Sequence, residues 1–132
     1  MNYFHNERNV IPIPVRQPVC YFDIWIARLP LDDSRHVQGG IRPVLIVSSN
    51  QANSISSVVS VVPLTSKRKH MEMSTHICLT GHGLRCPSVA LVEQITTIDK
   101  RELLFTIGHL PIHDVSACAL RQSIINFMAL AA

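Results

Sequence analysis

The stretch Gly39-Gly40-Ile41-Arg42-Pro43-Val44-Leu45-Ile46-Val47 decides the fold. Its last five residues are apolar without a polar break, four of them β-branched or leucine, the pattern of a short strand buried on both faces. A second run, Val58 to Val62, repeats it. Working outward, Tyr21 to Ala27 reads as a strand before this pair. A turn-forming segment from Leu29 to Gly40 carries Pro30, Asp32, Asp33 and the glycine pair. Beyond, Thr75 to Leu79 and Val89 to Thr97 read as two more strands around a bend marked by Gly81, Gly83 and Pro87. The period then changes. Leu120, Ile124, Phe127 and Ala131 recur at helical spacing, and Asp114 is placed to cap the helix after Pro111. The expected fold is therefore mainly β: a small barrel-like sheet of about five strands, closed by one C-terminal helix.

Composition bounds the function. The chain has 132 residues, 47% hydrophobic and 16% charged, with a formal charge of +3, so it has room for one domain and too much apolar character for a disordered segment. No run approaches the roughly 18 apolar residues of a membrane span, and Met1 to Asn9 is polar, without a signal-peptide core. A cytoplasmic protein with no membrane association is expected. The organisation read from the chain is an arm over residues 1–20, bearing Pro12, Pro14 and Pro18, and one domain over 21–132. Cys20, Cys78, Cys86 and Cys118 lack paired spacing and are expected as reduced thiols in the core.

Polar residues interrupt this apolar frame in three places. Arg42 sits between a glycine pair and a buried strand, where a rigid element can aim its planar fork at phosphate; the competing reading is a strand-edge arginine paired with an acid. Thr65 and Ser66 lead from a buried strand into Lys67, Arg68 and Lys69. Hydroxyls followed by cations suit a phosphodiester, though such a run also makes an ordinary solvated loop. Glu93 and Gln94 lie inside an apolar strand, and a buried carboxylate demands a partner. Arg42 is the candidate to face Glu93. His76, Cys78, His82 and Cys86 are ligand types for zinc, but their intervals match no usual site geometry. No metal or other cofactor is expected.

Taken in order, the segments Asp23-Ile24-Trp25, Gly39 to Ser48, Val61 to Ser66, Thr75-His76, Gly83-Leu84 and Glu93 to Lys100 resemble the MazF and PemK toxins. These are the endoribonuclease halves of type II toxin-antitoxin pairs. The resemblance implies an SH3-like β-barrel of the CcdB/PemK type with a C-terminal helix. It also implies a homodimer and metal-independent cutting of single-stranded mRNA at short sequences, with an antitoxin partner whose partly disordered acidic tail crosses the RNA groove. DNA binding by the toxin-antitoxin complex is part of the same expectation. The family's catalytic arginine falls on Arg42 and its conserved hydroxyl on Thr65. Where the family's loop usually carries an acid this chain has Val37, and His36, at a position where some members have histidine, is the candidate general base or acid. Gln38, Ser66, Lys67, Arg68, Glu93 and Gln94 are the candidate RNA-binding residues. The alternative is a non-catalytic toxin of the same fold, or one directed at gyrase as CcdB is.

Overall fold

The computed structural model describes residues 17–31, 38–67 and 71–130. Within them the chain forms seven strands and two α-helices in the order β1 (Asp23–Leu29), β2 (Gly40–Ile46), α1 (Asn50–Ile55), β3 (Val58–Thr65), β4 (His76–Leu79), β5 (Ser88–Leu91), β6 (Thr96–Asp99), β7 (Leu103–His109) and α2 (Val115–Met128). All recorded pairings are antiparallel, along the path β4-β5-β3-β2-β1-β7 with β6 on β3. Two strands exceed the expected number. The run Val89 to Thr97 divides into β5 and β6 around a 3-10 turn, Val92–Gln94, and β7 lies in a segment, Leu-Leu-Phe-Thr-Ile-Gly-His, that does not alternate cleanly. Helix α1 is only six residues long, too short to show a period; Ser49 caps it by accepting a hydrogen bond from the Ala52 N–H. The proline-bearing arm lies outside the described residues up to position 16.

The central strands are apolar on both faces because each face has its own core. Side chains alternate along a strand, so Leu45, Val62 and Leu64 enter one cluster with Ile24, Leu79 and Leu110, while Val44, Ile46, Val59 and Val61 enter another with Trp25, Ala27 and Leu103. Helix α2 covers the first cluster with Ala117 and Leu120. Asp114 caps it as expected, its carboxylate accepting from the Ser116 N–H at 2.8 Å. The buried stripe is Ala117, Leu120 and Ser123, with Ile124 half-buried beside it. Phe127, expected on that stripe, is 44% exposed: it lies one turn beyond Ser123, the last buried residue of a helix that ends at Met128. Ala131 lies outside the described residues.

Strand β3 changes partner along its length. Val58 to Val61 pair with β6, and Leu64 and Thr65 pair with β5. Pro63, which has no N–H to give, falls in the gap between them. The two ends of the sheet meet where the β4–β5 loop lies on β7: a Cβ built on Gly83 would stand 1.9 Å from the Ile107 carbonyl oxygen, and one on Gly108 1.6 Å from that of His82. Only a glycine on each side lets the backbones come so near. The cysteines do not form part of the core. Cys20 and Cys78 are half-buried, Cys86 and Cys118 are exposed, the first exposed thiol on that same loop and the second on the outer side of α2, where Arg121 donates to its sulfur at 3.4 Å.

Candidate active site

The β2–β3 register places the two residues that matter most. Val44 pairs with Pro63, Leu45 with Val62 and Ile46 with Val61, and the same antiparallel count carried outward puts Arg42 opposite Thr65. The recorded ladder stops at Val44 because β3 turns away there to pair with β5. The strands part, and the opening is a cleft of about 680 Å³ lined by Arg42, Thr65, Ser66, Lys67 and Gln38 on one side. Arg85 and Cys86 of the β4–β5 loop and Phe105 of β7 form the other. Thr65 is buried, with 6% of its surface exposed, and its Oγ1 accepts from the Lys67 N–H at 3.2 Å.

Arg42 is held by neutral groups. Its Nε–H donates to the Gly39 carbonyl at 2.9 Å and its Nη1 to Gln38 Oε1 at 2.6 Å. Among the described residues no carboxylate forms an ion pair with it, and none lines the cleft. The reading of Arg42 as a strand-edge arginine paired with an acid is therefore not supported. Burial pulls its pKa down from the ordinary arginine value, and a guanidinium starts so high that it keeps its charge across any working range. With two of its five N–H groups used, three remain for a ligand. Lys67 and Arg85 add positive charge at the rim, and Ile26, Leu64 and Ile107 make the floor apolar. Phe105, 51% exposed, offers a face for stacking a base.

Not every expected site residue comes to this cleft. Gln38, Arg42, Thr65, Ser66 and Lys67 do; His36 and Arg68 lie outside the described residues. Glu93 does not face Arg42. Its Oε2 meets His76 Nε2 at 2.6 Å, with the imidazole 3% and the carboxylate 28% exposed, so the partner demanded by its position is the histidine that opens β4. His82 stands 3.5 Å from Asp114. With these two histidines turned to separate carboxylates, the His76, Cys78, His82 and Cys86 quartet does not assemble, and the described residues contain no group of three or more such ligands placed to hold a metal ion. Gln94 sits behind the cleft, where its Oε1 accepts from the Gln38 N–H at 2.8 Å. Arg85 and Phe105 are lining residues that the sequence reading missed. The glycine bend before Arg85 was visible, but its position against β7 was not.

Known proteins of similar sequence and fold place the chain in a family. Residues 21–125 match the family described as PemK-like, MazF-like toxin of type II toxin-antitoxin system. The chain is 37% identical over 91 residues to Endoribonuclease EndoA of Bacillus subtilis, covering 67% of this chain and 77% of that protein. It is 37% identical over 84 residues to Endoribonuclease MazF of Staphylococcus saprophyticus, covering 61% and 68%. Among solved structures, Mycobacterium tuberculosis toxin MazF-mt6 superposes with a TM-score of 0.68 at 27% identity, over 83% of this chain and 99% of that one. No helix among the described residues is long and apolar enough to cross a membrane. An antiparallel sheet under a C-terminal helix, a cleft lined by Arg42, Lys67 and Arg85, a family match over residues 21–125 and relatives that are endoribonucleases lead to one conclusion: the chain belongs to the PemK-like, MazF-like toxins of type II toxin-antitoxin systems.

Proposed function

We propose that the chain is an endoribonuclease that cuts single-stranded mRNA, by attack of the RNA's own 2′-hydroxyl, in the cleft between β2 and β3. The observation that carries this reading is Arg42, un-neutralised by any described carboxylate and opposite Thr65 in a cleft whose described lining holds no acid. In the reaction the 2′-oxygen loses its proton and bonds to phosphorus, the bond from phosphorus to the 5′-oxygen breaks, and that oxygen takes up a proton. The products are a 2′,3′-cyclic phosphate and a 5′-hydroxyl, and the step needs no metal. Arg42 supplies positive charge and two or more donors where charge builds on the phosphorane. Preorganised stabilisation of this kind is commonly the largest single contribution, with one donor worth on the order of 3 kcal/mol. Thr65 positions the 2′-oxygen or the phosphate; a hydroxyl of its ordinary acidity is not a base near neutrality.

His36 is the candidate for one of the two proton transfers, since imidazole is the side chain that titrates near neutrality. Ser66, Lys67 and Arg68 hold the neighbouring phosphates, and bases enter splayed from a single strand. The chain acts as a homodimer, which sets a charge of +3 on each of two copies. It is restrained by a cognate antitoxin whose acidic, partly disordered tail competes with RNA for Arg42 and Lys67. The test is cleavage of a defined mRNA in EDTA, with the ends analysed. Wild type is expected to yield cyclic-phosphate and 5′-hydroxyl ends, and Arg42→Ala to be slower by about 100- to 1,000-fold. Intact RNA at micromolar protein, or equal cleavage by Arg42→Ala, overturns the reading. Growth arrest without RNA decay points instead to a non-catalytic or gyrase-directed toxin.

A further inference from the structure

Behind the cleft, two glutamines form a brace that ends on Arg42. Gln94 belongs to the 3-10 turn between β5 and β6, far along the chain from the β2 loop, yet its Oε1 accepts the backbone N–H of Gln38 at 2.8 Å. Gln38 in turn offers its own Oε1 to Arg42 Nη1 at 2.6 Å, and the next residue, Gly39, gives its carbonyl to Arg42 Nε at 2.9 Å. Both acceptors that orient the guanidinium thus lie on a two-residue stretch whose backbone is tied down by Gln94. The stretch is clamped on its other side as well, since a Cβ on Gly39 would stand 2.5 Å from the Pro30 carbonyl oxygen. Gln94 itself does not line the cleft. It faces a separate cavity of about 170 Å³ with Leu29, Pro30, Pro63 and Thr96, and among the described residues Gln38 alone lines both.

We infer that Gln94 is a positioning residue for Arg42, acting through Gln38, rather than a contact for RNA. The inference rests on the reading of Arg42 as the group that stabilises the phosphorane. A long guanidinium on a strand end has several rotamers, and they do not all present its free N–H groups to a phosphate held near Thr65. Two neutral acceptors select one rotamer without cancelling its charge, which a carboxylate would do. The selection is only as firm as the loop carrying those acceptors, and its fixed point is the amide oxygen of Gln94. Loss of that oxygen leaves the charge in the cleft and loosens its aim, so the rate falls while RNA affinity stays. A direct contact would show the opposite weighting.

The experiment uses Gln94→Leu, similar in size but without an acceptor, and Gln94→Glu, whose carboxylate still accepts from the Gln38 N–H. Turnover is measured on an RNA oligonucleotide spanning a mapped cleavage site. Affinity is measured on the same oligonucleotide with 2′-deoxyribose at the cleaved nucleotide. For Gln94→Leu, kcat is expected to fall about 10- to 100-fold, the usual effect of misplacing a catalytic group by an ångström or less. Affinity should change by less than about threefold, and Gln94→Glu should recover most of the rate. In a ¹⁵N spectrum the Arg42 Nε–H signal, sharp in wild type, should broaden in Gln94→Leu and return in Gln94→Glu. Unchanged kcat in Gln94→Leu, or affinity lost in step with rate, overturns the inference. If Gln94→Leu does not melt cooperatively, Gln94→Met, also without the amide oxygen but more flexible in packing, is read by the same two measurements. An inactive Arg42→Ala beside a fully active Gln94→Leu removes the brace and leaves the ribonuclease reading standing; a fully active Arg42→Ala removes both.

Discussion

Substituting Gly108 by alanine perturbs the point where the two ends of the sheet meet, and the structure separates the physical causes involved. A Cβ at Gly108 would lie 1.6 Å from the His82 carbonyl oxygen, and Gly108 has no unusual φ, so the effect there is pure overlap. Gly81, in the same loop, is the reverse: its φ is +76° and nothing lies within 4 Å of an added Cβ. Gly81→Ala therefore meets only the left-handed backbone penalty, roughly 1–2 kcal/mol. Overpacking ranges over about 1–3 kcal/mol and sometimes more. Gly108→Ala belongs at or above the top of that range, because the opposing atom is backbone and cannot swing aside as a side-chain tip would. At about 4 °C per kcal/mol for a domain of this size, the expected loss in Tm is on the order of 12 °C or more, against about 4–8 °C for Gly81→Ala. The β4–β5 loop also carries Arg85 and Cys86 into the cleft, so lifting it off β7 should weaken RNA binding as well. Calorimetric melting of both variants, with RNA titrations at a temperature where each is folded, checks this. Gly108→Ala melting no lower than Gly81→Ala would refute the close approach and the account of how the cleft wall is held.

Three further outcomes follow from single contacts. Thr65→Val keeps the shape of a buried side chain and removes the hydroxyl that Thr65 brings to the cleft it shares with Arg42. It should slow cleavage by roughly 10- to 100-fold with little change in melting, and a wild-type rate would exclude Thr65 from positioning substrate. Asp114→Ala removes the cap of α2 and should lower stability by about 1 kcal/mol, whereas Asp114→Asn, which retains an acceptor, should lose much less; equal melting of all three proteins would refute the capping role. Burial raises the Tyr21 pKa, with Arg121 opposing it more weakly. A raised pKa means the folded state holds the proton longer. Its stabilisation is complete below the ordinary value of 10.0 and is lost as pH rises through the folded value. Tyr21→Phe should therefore lose less stability than wild type in denaturant melts carried above pH 10, and parallel loss in the two proteins would show that the phenol is not shielded.

Much of the frame was legible because its signals are local. The apolar runs at Pro43 to Val47 and Val58 to Val62, the second broken by Ser60 alone, announce strands with a core on each face, and two clusters are found there. Asp114 after Pro111 marks the start of α2. Other signals were too short or belonged to partners far away in the chain. Six residues of α1 cannot show a helical period. The mixed polarity of β7 reflects an edge strand with two residues, Phe105 and Ile107, lining the cleft. The cysteines were assigned to the core from residue type, but Cys86 and Cys118 lie on a loop and an outer helix face, where residue type does not decide burial.

The candidate site divides in the same way. Residue order alone identified Arg42 between a glycine pair and a buried strand, and hydroxyls followed by cations at Thr65 to Lys67, because chain stiffness and charge are properties of neighbours in sequence. It did not reveal that Glu93 turns to His76, that Gln94 reaches Gln38, or that Arg85 and Phe105 complete the cleft. Those facts depend on register and on the change of partner along β3. The β2–β3 pairing count sets Arg42 opposite Thr65, and the parting of those strands past Val44 makes room for a ligand between them. Antiparallel register is fixed by long-range packing of two cores at once, so tertiary structure decided which of the polar residues share a cleft.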